Sequence, residues 1–538
     1  MKRNSRPPKN LSVLFDWHAE KARSTSLYLD RPFDIAPSAG VDYDAAALAG
    51  LVADASGWLY AAGARRGDRV AVIKDNHFDV ILLSAAATRI GALAATISAD
   101  NRPAHLLEML QRLQPVVTVI SARTLEAAAR AGIDLGAFGR TVVLGEPADD
   151  STAGTPLEQF YGSPVPPPNL RPDSEPMMIT HTSGTTSTPK LVVHTAETNR
   201  GATRLELLPL PGAVNRRDDV CLSSIAFGHS RAYSWAFAQF HWAPQRLLIG
   251  STHDPKDIEG VLEIHRPTTV EAMPNVFQHW VPLVRRRPEL FAQVRYYLNT
   301  FDMMHPSIAR PFMNASRRRG VIWGHSWGQS EVGPIAGAVY TRGMVNKTAG
   351  SVHDNMNNMG WVWPGLMKAK IVDPQTLAPV RRGETGVILT RGKSLCVDYL
   401  GETDRYEAKK PAGWWHTGDV GYQDRLGRIH FVDRALDSIP GISATEVESV
   451  LLERIDGARE VVLLSRGDRP PVPVVCLESG TLSDEAWTAA CAGLAPMAEP
   501  ITLEWAEMPR TSTWKIRRKE LRELVLAGDE TELEERFT

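Results

Sequence analysis

Apolar positions in the N-terminal part of the chain alternate between helix-like and strand-like spacing. Residues 43–62 are rich in alanine and carry apolar side chains at helical spacing, so they predict a long helix. Short apolar runs predict buried strands at residues 69–73, 115–120 and 176–181, and the pattern at residues 81–90 predicts another helix. Strands that alternate with helices in this way indicate an α/β fold, in which helices cover a mostly parallel sheet.

Two stretches stand apart from this pattern. Residues 163–175 begin with the proline-rich run SPVPPP, which predicts an internal linker. Residues 80–99 form the most apolar window of the chain, but Arg89 and several hydroxyl groups lie inside it. We therefore expect a buried helix followed by a strand there, and no membrane span.

Composition narrows the class of protein. The 538 residues include 60 Lys and Arg against 62 Asp and Glu, a formal net charge of −2, whereas nucleic-acid binders usually carry a basic excess. The four cysteines are scattered and none has CxxC spacing, which disfavours a disulfide framework or a zinc cluster. The basic N-terminus continues into prolines instead of the apolar core of a signal peptide. We expect a cytoplasmic protein that binds neither nucleic acid nor membrane.

The stretch HTSGTTSTPK at residues 181–190 concentrates hydroxyl side chains around one glycine and one lysine. Glycine lets the backbone turn so that its amides point inward, and hydroxyls, amides and a lysine can then hold phosphate oxygens. The GxxxxGK[ST] spacing of the Walker loop is absent. The residues that we expect to bind phosphate are Thr182, Ser183, Gly184, Thr185, Thr186 and Lys190.

The order TSGTTSTPK resembles the signature loop of the adenylate-forming superfamily, which includes acyl- and aryl-CoA synthetases, peptide-synthetase adenylation domains and luciferases. Three further stretches follow in the family's order. WGQSE at residues 327–331 is similar to YGxTE, and GWWHTGD at 413–419 with the Asp433-Arg434 pair is similar to WxxTGD and GR. PRTSTWK at residues 509–515 is similar to PRTxxGK.

The resemblance implies a substrate, a cofactor and a set of binding residues. It implies ATP and Mg²⁺, with Lys515 as the catalytic adenylation lysine and Glu331 as a catalytic residue that holds the metal. A carboxylate near a triphosphate makes physical sense only with a cation between them. Trp327 would lie against adenine, and Ser330 would contact the α-phosphate. The remaining residues implied to bind the nucleotide are Gly328, Gln329, Asp419 and Arg434, the last two at the ribose.

The resemblance also implies the architecture. A large N-terminal AMP-binding domain of mixed, mostly parallel sheets with helices would span residues 1–434. A small, mobile α+β domain would span residues 435–538 and be joined to it by a hinge at Ala435-Leu436. In the family the small domain rotates between two half-reactions.

The sequence departs from the family pattern mainly in this small domain. Asp433 stands where the family has glycine, Leu436 replaces the usual Asp or Lys of the hinge, and Trp514 replaces the glycine before the lysine. The motif at residues 439–448 is several residues short. These changes leave the adenylation lysine in place, but they put the thiol-transfer half-reaction in question.

Four functions stay open at this point. We favour an ATP-dependent, AMP-forming ligase that activates a small aromatic acid, releases pyrophosphate and transfers the acyl group to a thiol of CoA or a carrier protein. The first alternative resembles the ATP-dependent diazotases, in which nitrite is the activated oxyanion and an aryl amine is the acceptor. The others are an amide-forming ligase and a nucleotide-binding regulator without catalysis.

Two regions are expected to form the substrate pocket, because the family builds its pocket there. The first contributes Phe227 and His229, and the second contributes Asp302 and His325. Bulky residues at 299–302 replace the small Gly-Gly-Ala run of the family, which favours a compact aromatic acid or amine. Asp302 can pair with a substrate amine or cap a helix, and His229 can contact the activated oxygen or be a satisfied core residue.

Overall fold

The computed structural model describes most of the chain. The described residues are 7–21, 24–146, 154–182, 188–210, 212–213, 215–347, 356–435, 439, 442–467, 469–478, 480–511 and 513–526.

Helices and strands alternate through most of the described chain, as the sequence pattern predicts. The α-helices are α1 Leu14–Ala19, α2 Ala45–Ala61, α3 Asp79–Arg89, α4 Pro103–Leu113, α5 Ala122–Arg130, α6 Ala196–Thr203, α7 Ser230–Trp242, α8 Pro255–Ile264, α9 Pro274–Arg286, α10 Pro306–Ala315, α11 Arg342–Lys347, α12 Thr403–Ala408, α13 Ala444–Arg454, α14 Asp484–Ala490 and α15 Arg518–Val525. The strands are β1 Ser26–Leu29, β2 Asp42–Tyr43, β3 Arg69–Lys74, β4 Leu93–Ser98, β5 Val117–Ser121, β6 Arg140–Leu144, β7 Thr155–Pro156, β8 Pro176–His181, β9 Leu191–Thr195, β10 Val220–Ser224, β11 Arg246–Ile249, β12 Thr269–Ala272, β13 Tyr296–Asn299, β14 Ile322–Gln329, β15 Gly333–Thr341, β16 Asn358–Val362, β17 Met367–Val372, β18 Gly386–Gly392, β19 Asp398–Tyr399, β20 Trp415–Gln423, β21 Ile429–Arg434, β22 Ala458–Arg466, β23 Arg469–Leu477 and β24 Ile501–Thr502.

The chain divides into two compact units. Unit 1 consists of residues 1–272, 328–334 and 392–408, and unit 2 consists of residues 273–327, 335–391 and 409–538. The WGQSE stretch crosses the division, because residue 327 belongs to unit 2 and residues 328–331 belong to unit 1.

Unit 1 contains mixed, mostly parallel sheets. An eight-stranded sheet has the order β19-β9-β8-β4-β3-β5-β6-β7, with parallel pairing from β8 through β7 and antiparallel pairing of β9 with β8 and β19. A second set of strands has the order β12-β10-β11-β1-β2, and it is parallel except for β1 with β2. The apolar strands β3, β4 and β5 are almost wholly buried, as expected for parallel strands that helices cover on both faces.

Local chemistry explains where the predicted elements begin and end. Helix α2 begins after Asp44, whose side chain accepts a hydrogen bond from the Ala47 amide, so the predicted helix at residues 43–62 is confirmed with a capped start. The predicted strands and the helix at 81–90 correspond to β3, β5, β8 and α3. The proline-rich residues 163–175 contain neither helix nor strand. In the described residues, no helix has the length and apolarity that crossing a bilayer requires.

Unit 2 has a different sheet and a separate set of C-terminal elements. Its larger set of strands has the order β17-β18-β20-β21-β16-β15-β14-β13, with β13 and β14 parallel and β16, β18, β20 and β21 paired antiparallel. Strands β22, β23 and β24 form a three-stranded sheet. Helix α13 packs on β22, and one hydrophobic cluster there draws its members only from residues 439–497.

The predicted fold class is therefore confirmed: mixed α/β sheets with helices, and α+β elements at the C-terminal end. The boundary at residue 434 and the mobility of the small domain stay predictions. The hinge residue Leu436 lies outside the described residues.

Candidate active site

The predicted phosphate loop connects two antiparallel strands of unit 1. Strand β8 leads into it and β9 leads out, with His181 opposite Leu191. The Thr182 amide donates to the Lys190 carbonyl at 3.0 Å, and the Lys190 amide donates to the Thr182 hydroxyl at 3.1 Å. These two hydrogen bonds close the base of the loop. The predicted phosphate ligands Ser183, Gly184, Thr185 and Thr186 lie outside the described residues.

Both ends of this loop are held by neighbouring elements. The Ser98 amide donates to His181 Nε2 at 3.1 Å, so the imidazole proton is on Nδ1, which donates to the Thr182 carbonyl at 2.8 Å. On the other side, Arg112 of α4 donates to the Pro189 carbonyl at 2.9 Å and pairs with Glu402. Neighbouring elements therefore hold both ends of the loop.

Glu331 is buried beside a phenol and a neutral imidazole in unit 1. Its Oε1 accepts a 2.6 Å hydrogen bond from the Tyr399 hydroxyl. Burial, reinforced by the nearby carboxylate, raises the pKa of Tyr399, so the phenol keeps its proton. Burial lowers the pKa of His194 to about 4, although the charge of Glu331 opposes this. Sequence motifs alone did not single out Tyr399 or His194.

The donor set at Glu331 fits a magnesium ion that shares its ligands with a nucleotide. Mg²⁺ prefers oxygen ligands, and proteins usually hold it with one or two carboxylates together with substrate phosphates. Among the described residues, no group of three or more His, Cys, Asp or Glu side chains is arranged to hold a metal. Glu331 together with phosphate oxygens would meet the preference of Mg²⁺ for oxygen ligands.

His229 is positioned by the start of helix α7. The Arg231 amide donates to His229 Nδ1 at 3.1 Å, so the neutral ring carries its proton on Nε2, which lies 2.8 Å from the Ser330 hydroxyl. The imidazole therefore presents an N–H to the residue that the resemblance assigns to the α-phosphate. This contact brings together two predicted site residues that are about a hundred positions apart in the chain.

A buried ion triad supports the start of α7. Arg231 binds Glu271 through two hydrogen bonds of 2.7 and 2.8 Å and also pairs with Glu206. The side chains of Arg231 and Glu271 are only 12% and 8% exposed. Sequence analysis could not predict this triad, because residues 206, 231 and 271 are far apart in the chain and belong to different elements.

Three more predicted residues of unit 1 have structural contacts. Phe227 is fully buried, and its ring packs edge-on against Phe78 and Trp235, so a substrate contact for it stays a prediction. A side chain at Gly328 would collide with the carbonyl oxygen of Gly333, which explains the glycine. Gln329 accepts a hydrogen bond from the Val332 amide through its carbonyl.

In unit 2, three predicted nucleotide-binding residues form one hydrogen-bonded group. Asp419 and Arg434 are opposite each other on β20 and β21, and Arg434 Nε lies 3.0 Å from Asp419 Oδ1. The Trp327 indole N–H donates to Asp419 Oδ2 at 3.2 Å. The buried carboxylate thus orients both the indole ring and the guanidinium.

Asp302 and His325 lie on neighbouring parallel strands, Asp302 just beyond the carboxyl end of β13 and His325 within β14. Strand β13 ends at Asn299, which is opposite His325 of β14, and Asp302 follows in the turn after β13. The charge of Asp302 acts on His325, but burial dominates and lowers the pKa of His325 to about 4. Ligands of α/β proteins commonly bind beyond the carboxyl ends of parallel strands.

The predicted adenylation lysine lies in a tight turn of unit 2. The Thr511 amide donates to the Lys515 carbonyl and the Trp514 amide donates to the Thr511 carbonyl, both at 2.8 Å. Trp514, which replaces the family's glycine, has φ +61°, a conformation that favours glycine. Its carbonyl accepts from Asn275 of α9, and its ring lies 5.6 Å from the ring of His279 on the same helix. These contacts attach the lysine turn to α9.

The fold matches that of solved adenylate-forming enzymes. A family model described as AMP-binding enzyme matches residues 23–400. The chain belongs to this AMP-binding enzyme family, and it is an ATP-dependent adenylate-forming ligase. The regulator alternative is therefore not supported.

Relatives and solved structures agree with this family. The chain is 33% identical over 537 residues to a 3-amino-2-hydroxy-4-methoxybenzoate diazotase of Streptomyces cremeus, with 95% of each chain covered. It is 26% identical to a crotonobetaine/carnitine–CoA ligase of Escherichia coli strain SE11, over 86% of this chain and 90% of the relative. An anthranilate CoA ligase, AuaEII, in complex with anthranoyl-AMP has the same fold, with a TM-score of 0.79, 18% identity and coverage of 97% and 98%.

Proposed function

We propose that this enzyme activates nitrite with ATP and transfers the nitroso group to an aryl amine, which becomes a diazonium ion. One observation carries the proposal: the diazotase of Streptomyces cremeus is 33% identical over 95% of both chains, whereas a carnitine–CoA ligase is 26% identical over 86% of this chain. The reaction is an adenylation, so it agrees with the family.

The proposed reaction has two stages, and its atoms balance. A nitrite oxygen attacks the α-phosphorus of ATP, the bond to the β-phosphate bridging oxygen breaks, and pyrophosphate leaves. The amine nitrogen then attacks the nitroso nitrogen of the mixed anhydride, the N–O bond breaks and AMP leaves. The amine loses its protons, and the second nitrite oxygen departs with them as water. The products are the diazonium ion, AMP, pyrophosphate and water.

Two anions meet in the first stage, so the enzyme's main task is to neutralise charge and to orient the reactants. We assign Lys515 to the developing charge on the attacking oxygen and the α-phosphate. Thr182 and Lys190 close the loop that binds phosphate, and Asp419 binds the ribose. Mg²⁺, held by Glu331 together with phosphate oxygens, supplies further positive charge when it is bound.

The lysine turn also supports an enzyme that does not need the second, thiol-transferring conformation. Trp514 replaces the family's glycine, and its carbonyl and ring contact Asn275 and His279 of α9. Because Trp514 adjoins Lys515, these contacts favour a single position of the lysine relative to α9. Nitroso transfer to a small amine requires no tunnel for a long pantetheine arm.

Transfer of an aryl acyl group to a thiol of CoA or a carrier protein is the second candidate. The identity to a carnitine–CoA ligase over 86% of the chain favours it. In that reaction the substrate carboxylate, and not nitrite, attacks the α-phosphorus. The two candidates therefore differ in which oxygen enters AMP.

Oxygen labelling separates them. The enzyme is incubated at pH 7.5 with ATP, Mg²⁺, 3-amino-2-hydroxybenzoate and either ¹⁸O-nitrite or CoA. We expect one ¹⁸O in the AMP phosphate, AMP formation only when nitrite is present, and an azo dye after coupling to a naphthol. AMP formation without nitrite, together with a CoA thioester, would refute the diazotase proposal and establish the second candidate.

A further inference from the structure

A carboxylate without a cation partner lies in the turn after β13. Asp302 forms no ion pair with another residue in the part of the chain that the structure describes. One of its oxygens, Oδ1, accepts a 3.0 Å hydrogen bond from the Met303 amide. The neighbouring Met303 and Trp327 pack against the same hydrophobic cluster, so the turn that carries Asp302 lies near the indole ring.

The groups around Asp302 leave its negative charge uncompensated. The charge of Asp302 acts on His305 and His325, but burial lowers the pKa of both to about 4, so both are neutral at pH 7. It also acts on Glu460, which repels it. The guanidinium groups of this region are already bound, Arg510 to Glu460 at 3.0 Å and Arg518 to Glu448 at 2.8 and 3.0 Å.

Two buried polar atoms beside this carboxylate also lack partners. His325 Nδ1 and Thr300 Oγ1 have no hydrogen-bond partner among the described residues, although their residues are only 3% and 7% exposed. Thr300 is tied to Asp302 by a 3.0 Å backbone hydrogen bond, and His325 is opposite Asn299 on the next strand. A buried polar atom without a hydrogen-bond partner is destabilising, so the arrangement favours a ligand that supplies partners.

We propose that Asp302, Thr300 and His325 form the binding site for the aryl amine, in which Asp302 accepts the proton that the amine loses. The inference rests on the proposed diazotase function and specifies its acceptor. The ligand is an aromatic amine that carries a polar group, such as a hydroxyl, next to the amine. The amine donates a hydrogen bond to the carboxylate, and the polar group satisfies the threonine hydroxyl and the imidazole.

The proton balance of the second stage requires such a group. When the amine nitrogen bonds to the nitroso nitrogen, its N–H becomes acidic, and AMP leaves with the electrons of the N–O bond. The Asp302 carboxylate takes this proton and becomes a carboxylic acid. The second amine proton moves to the N-nitroso oxygen as the N–N double bond forms. Asp302 then returns the first proton to the same oxygen, the N–O bond breaks, and water leaves.

The test separates the nitrite stage from the amine stage. Nitrite-dependent exchange of labelled pyrophosphate into ATP is measured with 3-hydroxybenzoate, which has no amine. Diazotisation of 3-amino-2-hydroxybenzoate is then measured over a range of amine concentrations. The variants are Asp302→Asn, Asp302→Glu, Thr300→Val and His325→Gln, with the exposed Asp456→Asn as the matched control.

We expect Asp302→Asn to keep the exchange rate within about twofold and to lower the kcat of diazotisation about 100-fold or more, the usual size of a general-base effect. Asp302→Glu should recover part of kcat. Thr300→Val and His325→Gln should raise the KM for the amine about tenfold with little change in exchange. The control should resemble the wild type in both assays.

Two results would overturn the inference. One is a wild-type kcat and amine KM in Asp302→Asn. The other is a parallel loss of exchange and diazotisation, which would make Asp302 part of adenylation or of folding. Absence of nitrite-dependent exchange in the wild-type enzyme would instead refute the proposed function itself.

Discussion

Replacement of Arg231 by methionine tests whether the buried ion triad of unit 1 positions His229. The guanidinium binds Glu271 at 2.7 and 2.8 Å and also pairs with Glu206, so its removal leaves two buried carboxylates without a cation. Breaking a buried ion pair by removing one partner usually costs about 3–5 kcal/mol. We expect Arg231→Met to lower the free energy of unfolding by about this amount, measured by urea denaturation at pH 7.5. The exposed pair of Arg285 and Glu478 gives the control, since Arg285→Met should cost about 1 kcal/mol or less.

The same variant should have a distinctive pH dependence. Burial already raises the pKa of Glu206, and loss of the Arg231 charge raises it further. A carboxyl whose folded pKa exceeds its unfolded pKa contributes stability below the unfolded pKa and loses it as the pH rises. The penalty of Arg231→Met relative to the wild type should therefore shrink as the pH falls from 7.5 to 5. Adding Glu206→Gln to the variant should also recover stability at pH 7.5.

The reasoning extends to activity because the Arg231 amide is a donor to His229. Displacement of the start of α7 should move the imidazole from Ser330 and reduce nitrite-dependent pyrophosphate exchange. A penalty below about 1 kcal/mol, or one that grows as the pH falls, would refute the electrostatic account of the triad. A stable variant with unchanged exchange would show that the triad does not position His229.

Three further predictions follow from unit 2. Lys515→Ala should abolish AMP formation without a change in the urea midpoint; substantial AMP formation would show that the lysine assignment is wrong. Trp514→Gly should unfold with a free energy about 1 kcal/mol higher than Trp514→Ala, because both lose the ring but only glycine adopts φ +61° without strain, and equal values would contradict this. Burial lowers the pKa of His305 and His325 to about 4. The free energy of unfolding should therefore fall as the pH drops from 6.5 to 4, by up to about 3 kcal/mol per histidine. If His325→Gln has the same pH dependence of stability as the wild type, the contribution of His325 is contradicted.

The motifs and the periodicity of the sequence were sufficient for the fold class and for the family. The strand predicted at residues 176–181 has those bounds in the structure, and the helix predicted at residues 43–62 is α2. Both signals are local: apolar spacing sets the element type, and a side chain such as Asp44 sets where a helix begins. The family pattern likewise pointed to Asp419 and Arg434, which the structure brings together on adjacent strands.

The sequence alone could not predict which partners the buried polar groups would have. His229 and Ser330 belong to different motifs, and Tyr399, the partner of Glu331, belongs to none. These contacts join residues 101 and 68 positions apart, so they depend on how strands and helices pack.

The sequence by itself was sufficient for the fold class and the family, because these depend on the spacing of neighbouring residues and on motif order; the residues assigned to adenylation stay predictions. Only the tertiary structure decided which charges are compensated. It places Arg231 between two carboxylates. Among the described residues it leaves Asp302 without an ion pair, and it leaves Thr300 Oγ1 and His325 Nδ1 without hydrogen-bond partners. The physical reason is that the cost of burying a polar group depends on the groups that packing brings within hydrogen-bond distance, and chain order does not specify those distances.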